Sequence, residues 1–381
     1  MSKPTLALIP SGQKATKVYS VLPSDGSGDF TFDRDTVATR VRKDGLIEEV
    51  AADIPRLDWL NSNCPSLLLE PSATQLAAFN TNIKSANSYT LTDGTLTENT
   101  ETAPDGTLTA STFKATATNG QFQKVKTSTS GAEYTVSVYV KRKTGSGTVY
   151  LRAVENANTA VTITDQWTRV SATVTSTSTN IRYGLALGTS GDEVYVWGFQ
   201  VELGGYASSF IFNTTGSDVT RNVDICKLDN SASMPSNYPI TVYGEVMPNE
   251  LSSTSYAFSL LENVDTNANY YLALLLRSTS VVKIVRRDTD TTVSNSISHT
   301  LAVGTPFKFA VCFQNETDFK YSFDGSSAVS ITSSDAVTWD FNDVLLGALR
   351  LSADTGKRNS IKEFRLYDTE LTDAELKKLT T

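Results

Sequence analysis

The chain has one histidine, His299, in 381 residues, which removes most uses of the commonest general base and metal ligand near neutral pH. Multi-histidine metal centres are excluded, and a Ser/His/Asp triad could be built only around His299. That residue follows Ser296, Ile297 and Ser298, whose alternation reads as a half-exposed strand. A strand-edge histidine is the simpler expectation. The three cysteines, Cys64, Cys226 and Cys312, are far apart and form no CxxC or zinc spacing. Cys312 lies in the apolar run Phe307–Phe313 and reads as a small buried hydrophobe. So few cysteines fit folding in a reducing compartment.

No apolar run approaches the about 18 residues of a membrane span. The opening stretch is broken by Pro4 and Pro10, too soon for a signal peptide, so the expectation is a protein made in a cytoplasm without membrane insertion. Net charge is −8, which argues against general affinity for nucleic-acid phosphates. The two basic runs, Lys141–Lys143 and Lys283–Arg287, read as solvated strand ends.

Hydrophobic residues make up 39% and charged residues 19%, both below the usual about 45–50% and 25%. Ser and Thr fill the gap at about a quarter of the chain, where Thr favours strands and Ser favours turns. The composition predicts an all-β protein. At about 150 residues per domain, the length predicts two or three domains.

Residues 1–80 carry Pro4, Pro10, Pro23, Pro55, Pro65 and Pro71 with short apolar bursts and no sustained period. They read as an extended N-terminal arm with little core of its own, whose backbone must pair with a neighbour. Residues 81–217 form a Thr-rich strand series. Tyr134, Val136, Val138 and Val140 alternate with polar positions, and Tyr195, Trp197, Phe199 and Val201 continue the pattern. This predicts an antiparallel sandwich, with Trp167 and Trp197 in its core.

Residues 218–381 form a second series, in which Ile240, Val242, Gly244 and Val246 alternate and Phe323 leads into the turn Asp324-Gly325. The chain closes with its one helical segment: Thr372 and Glu375 form a capping box, and Leu371 with Leu376 a hydrophobic staple. The architecture predicted is thus all-β, with an N-terminal extended arm, two antiparallel β-sandwiches (jelly rolls) and one short C-terminal helix.

Three strings are less generic: Val37–Glu48, Pro55–Trp59 and Cys64–Pro71. They resemble the N-terminal region of tailed-phage virion proteins, the tail or head fibre and appendage proteins, in which such segments precede a carbohydrate-binding-module-like jelly roll. Val196–Gly204 through Tyr206–Ile211 to Val219–Arg221 resembles the close of that jelly roll. Ile361–Tyr367 and Leu371–Leu376 are similar to the end of concanavalin/laminin-G-like sandwiches.

The resemblance implies a virion-surface location and assembly as a homo-oligomer, commonly a trimer. It also implies contact with other virion proteins through the arm, and attachment to host-surface polysaccharide. The alternatives are a purely structural head-decoration or connector protein and, behind both, a polysaccharide depolymerase.

Catalytic equipment is sparse. Concanavalin-like hydrolases carry a Glu-x-Asp-x-x-Glu strand, whereas Glu245–Glu250 lacks the middle acid and is interrupted by Pro248. Glu363 stands beside Lys362 and Arg365 as a salt-bridged surface residue. No catalytic residue is assigned, and the expectation is a non-enzymatic protein. No cofactor is expected beyond a structural calcium ion, for which Asp265–Asn269 and Asn315–Asp318 are the oxygen-rich candidate loops. Glycan recognition requires aromatic platforms beside planar polar groups. Tyr270, Tyr271 and Trp339 are the candidate glycan-binding residues, with Tyr89 and Tyr139 behind them.

Overall fold

A computed structural model describes residues 2–60, 62–153, 158–229, 234–235, 237–251, 255–262, 271–289, 291–338, 341–349 and 358–381. The chain is all-β, built of antiparallel sheets and closed by one short helix, Asp373–Thr380. It forms two compact units, and none of its described helices is long and apolar enough to cross a membrane.

The first unit comprises Met1–Val37, Val50–Ser72 and Asn222–Thr381. One of its sheets has nine strands, with Phe30–Asp33, Ile225–Leu228, Asp343–Leu346, Tyr256–Leu261 and Tyr271–Ser278 at its centre. The other has eight, in which Ile240–Pro248 lies between Phe307–Phe313 and Asn359–Tyr367. The alternation at Ile240, Val242 and Val246 does what period two requires, sending these side chains into a core shared with Phe258, Leu272 and Ile284 of the opposite sheet. Phe258 stacks on Phe309 across that core, ring centroids 5.5 Å apart. Gly244 holds its place in the alternation because a Cβ there would come within 2.5 Å of the Phe309 ring.

Met1–Val37 and Val50–Ser72 of the N-terminal segment belong to this unit. Leu6–Leu8 pairs with Asn359–Tyr367, placing Leu6 opposite Leu366, and Ser66–Leu69 pairs with the same strand, placing Leu67 opposite Ile361. Leu6, Leu8, Phe30, Phe32, Leu67 and Leu69 are all core residues. Where the sequence set residues 1–80 apart, the structure divides them between the two units. The physical reason is that these short apolar bursts find their partners in strands far along the same chain.

The helix Asp373–Thr380 has the predicted capping box: Thr372 caps Glu375 N–H and the Glu375 carboxylate accepts from Thr372 N–H at 2.9 Å. Leu371, Leu376 and Leu379 cover Tyr243, Ala310, Cys312 and Tyr367 on the outer side of the eight-stranded sheet. Asp324 and Gly325 both adopt positive φ, 43° and 74°, as the Asp-Gly turn predicts.

The second unit comprises Ala38–Glu49 and Ala73–Arg221, and has two five-stranded sheets. One orders Gly94–Glu101, Ala110–Ala115, Glu193–Leu203, Glu133–Thr144 and Thr168–Thr175. The other orders Thr90–Thr92, Gly120–Thr127, Asn180–Leu187, Val149–Ala153 and Asn158–Val161. Val136, Val138, Val196 and Phe199 from the first meet Phe122, Leu151, Tyr183 and Leu185 from the second in one core. Trp197 is fully buried on the other side of the first sheet with Ile47, Ala110 and Phe210, and its indole N–H donates to Thr109 Oγ1 at 3.1 Å. Trp167 packs half-buried against that cluster. Gln75 ties the entering chain to the unit, accepting from Ala77 and Val201 N–H and donating to the Phe199 carbonyl.

Candidate functional site

The sheet containing Gly120–Thr127 buries one face and presents the other outward. Strand alternation sends Phe122, Leu151, Ile181, Tyr183 and Leu185 into the core. The intervening residues must therefore lie on the opposite face: Gln121, Gln123 and Val125, then Arg182, Gly184 and Ala186, then Tyr150 and Arg152. Register decides which of them meet. Gln123 is opposite Gly184, which is opposite Arg152, which is opposite Asn158. One row along, Gln121, Ala186, Tyr150 and Ala160 are aligned in the same way. Thr90 and Thr92 extend the two rows on the other edge.

The central strand thus contributes the small residues Gly184 and Ala186, flanked by long polar side chains on both neighbouring strands. Arg152 reaches over that low point: its Nε donates to Gln123 Oε1 at 3.1 Å and its Nη1 to Gln121 Oε1. Gly184 is required there, since a Cβ would lie 2.0 Å from the Phe122 carbonyl oxygen. Burial, and then the neighbouring Arg182 charge, hold the Arg152 guanidinium below its ordinary pKa. Tyr150 is half-buried beside Arg152. Two carboxamides, guanidinium groups and a phenol ring on one face combine donors, acceptors and an aromatic surface, the chemistry that holds a sugar by its hydroxyls and its apolar side.

Of the glycan-binding candidates expected from sequence, Tyr271 is described and lies in the first unit. Tyr271 begins a strand of the first unit's nine-stranded sheet, half-buried against Tyr256, Leu261 and Leu275, with the Arg287 guanidinium 5.9 Å from its ring centroid. Tyr270 and Trp339 fall outside the described residues, as does the loop Asp265–Asn269. Tyr89 is buried in the second unit's core against Phe122 and Tyr183, and Tyr139 lies beneath the Arg169 guanidinium; both rings serve packing. The face at Gln121 and Arg152 was missed because alternating polar residues on a strand look alike whether or not they do anything. Only the register between three strands brings these together.

In the loop Asn315–Asp318, Asn315 Oδ1 accepts from Thr317 and Asp318 N–H, while the Glu316 and Thr317 carbonyls accept from Arg286. Those oxygens are engaged in turn geometry and in holding a buried arginine. The described carboxylates close enough to share a cation are Asp33, Asp35 and Asp53, each offering an oxygen within 4.8 Å of the others. Burial and the charges of Asp53 and Asp35 raise the Asp33 pKa. Of the basic runs, Lys141, Arg142 and Lys143 pair with Glu101, Asp192 and Glu193, and Arg286 is buried. His299 contacts Asp324 at 2.9 Å between the rings of Phe307 and Phe323, and Glu363 accepts from Arg365 Nε at 2.6 Å.

No protein-family model and no curated protein matches the chain. Among solved structures, the chain is similar to the CBM40 of the Ruminococcus gnavus IT-sialidase bound to α2,3-sialyllactose. Identity is 15% over 39% of this chain and 86% of that one, with a TM-score of 0.35. It is also similar to domain 4 of AbnA, a GH43 extracellular arabinanase from Geobacillus stearothermophilus in complex with arabinotriose. There the values are 17% identity, 42% of this chain, 73% of that one and a TM-score of 0.34. A third is a heptameric SAP-like pentraxin from Limulus polyphemus, at 12% identity over 39% of this chain and 72% of that one, with a TM-score of 0.31.

Proposed function

We propose that the chain is a non-enzymatic surface protein of a tailed-phage virion, a tail or head fibre or appendage, that attaches to host-surface glycans through its β-sandwiches. The observation that carries the glycan reading is the outward face on which Gln121, Gln123, Tyr150 and Arg152 converge over Gly184 and Ala186. The virion reading rests on the ordered strings Val37–Glu48, Pro55–Trp59 and Cys64–Pro71. Assembly as a trimer would make weak sites effective through multivalency. Because the N-terminal strands pair within their own chain, contact with other copies or with the particle falls to exposed side chains such as Ile9, Tyr19 and Val21.

The test is retention of the full chain on host-surface polysaccharide, compared with Tyr150→Ala and Gln121→Ala variants of unchanged thermal midpoint. The expected result is retention that falls by about tenfold or more in each variant, the value of one good contact. A wild-type chain that joins the particle yet binds no polysaccharide would instead support the structural connector reading.

A further inference from the structure

We propose that the outward face of the second unit selects an acidic glycan, a polymer of carboxylate-bearing sugars, with Arg182 as the residue that meets the carboxylate. This rests on the glycan reading above and adds the charge of the ligand. The chain as a whole has 41 acidic residues against 33 Lys and Arg, so a face without acids among its described residues is a departure from that average. Along the two aligned rows and the positions continuing them, the outward residues are Thr90, Thr92, Gln121, Gln123, Val125, Tyr150, Arg152, Asn158, Ala160, Arg182, Gly184 and Ala186. Two are arginines and none is Asp or Glu.

Register gives the two arginines different tasks. Arg152 is laid across Gly184 with its Nε and Nη1 committed to the Gln123 and Gln121 carboxamide oxygens, which leaves it a fixed part of the floor. Arg182 sits two residues before Gly184 on the central strand and opposite Val125, itself half-exposed. It forms no ion pair with any described residue. Two guanidiniums on adjacent strands repel each other, and the lowered pKa of Arg152 reflects that in part. An anion seated between them removes the repulsion. A carboxylate suits a guanidinium best, because its two oxygens match the planar fork. The neighbouring Gln amides and the Tyr150 ring then suit the hydroxyls and apolar side of the same sugar.

The experiment uses the full chain and three immobilised probes: a polyuronic acid, the same polymer with its carboxyl groups reduced to alcohols, and a sialylated oligosaccharide. Binding is measured for wild type and for Arg182→Gln. The expected result is binding to at least one carboxylate-bearing probe that weakens with added salt. Reducing the carboxyls or substituting Arg182 should each weaken it by about tenfold or more, the value of a charge-assisted hydrogen bond.

Equal binding to the acid and its reduced form would overturn the acidic preference while leaving the glycan reading intact. Binding to no probe, charged or reduced, and to no host polysaccharide would overturn both. Equal capture by dextran sulfate would show ion exchange in place of a site and would also overturn the proposal. Should Arg182→Gln fail to fold, the comparison of native with reduced polymer still decides.

Discussion

The Arg34 guanidinium lies 3.1 Å from the Asp224 carboxylate with neither side chain exposed, a contact that closes 190 residues of chain. Asp224 also meets Arg56 and accepts from Glu70 N–H at 2.9 Å, and Glu70 in turn pairs with Arg56 at 2.8 Å and Arg358 at 2.9 Å. Remaining donors of Arg34 reach the Thr36, Val50 and Ala51 carbonyls. Burial disfavours the Arg56 charge, but the attraction of Asp224 and Glu70 outweighs it and raises the Arg56 pKa. Three stretches remote in sequence are thus joined inside the first unit by ions that need one another.

Removing one partner from such a network leaves the others buried without compensation, which costs about 3–5 kcal/mol. Asp224→Asn should lower the unfolding free energy of the first unit, read from urea titration, by that amount. Asp218→Asn, which removes only a partly exposed partner of Lys126, should stay within about 0.5 kcal/mol. Equal midpoints for Asp224→Asn and wild type would show that the network contributes no net stability.

The C-terminal helix should be sensitive to acid. Hydrogen bonds from Lys320 and Gln314 hold Glu370 below its ordinary pKa, and hydrogen bonds from Thr372 N–H and hydroxyl do the same for Glu375. A carboxyl whose folded pKa is depressed contributes stability above its unfolded value, and that contribution is lost as pH falls through the folded value. The window therefore opens near pH 4.5, the ordinary Glu value, and extends below it. Urea midpoints between pH 7 and about pH 3 should fall, and in Glu370→Gln and Glu375→Gln variants the midpoint should start lower and fall less. Parallel pH curves for wild type and variants would contradict this. Thr372→Ala should cost about 1 kcal/mol near pH 7, the usual value of an N-cap, and less at acid pH, because the lost hydroxyl also favours the ionised Glu375 carboxylate.

Much of this fold is visible in local pattern, and what is not visible is long-range pairing. Tyr134–Val140 and Ile240–Val246 alternate because one face of each strand meets a core, and Thr372 with Glu375 marks its helix because capping needs only four residues. Leu6–Leu8 and Ser66–Leu69 show no period because every residue of each is buried, so nothing alternates. Their partners, Leu366 and Ile361, stand at the other end of the chain. The candidate site was hidden in the same way. A search for exposed ring pairs leads to Tyr270 and Tyr271, whereas Gln121, Gln123 and Arg152 gain meaning only once three strands are in register around Gly184.

That register is testable at Gly184. A methyl group there would meet the Phe122 carbonyl at 2.0 Å and Gln123 Cα at 2.7 Å, and backbone in the middle of a sheet cannot move aside as a side chain can. Gly184→Ala should destabilise the second unit by about 1–3 kcal/mol, the range for overpacking, and weaken polysaccharide retention by displacing Arg152. Gly191→Ala, where a Cβ meets nothing within 4 Å but φ is +87°, destabilises by backbone strain away from this face, a cause absent at Gly184, and should leave retention unchanged. Thermal midpoints and polysaccharide binding of the two variants separate these effects.

The two buried cysteines report separately on how the first unit opens. Cys64 is exposed, while Cys226 and Cys312 are buried and free. Burial raises both buried thiols, Cys226 with a further contribution from Asp224 and Cys312 with an opposing one from the Thr241 hydrogen bond. A thiolate-directed reagent should therefore add one label to the folded chain and three in urea, read by intact mass. Cys226 lies between the Phe32 and Leu346 positions of the neighbouring strands, two residues from Asp224. Cys312 lies under the C-terminal helix. Asp224→Asn should thus accelerate labelling of Cys226 more than of Cys312, and Glu375→Gln should do the reverse. Equal acceleration at both sites in either variant would mean that the unit opens only as a whole, with neither the ion network nor the helix cap forming a local unit of stability.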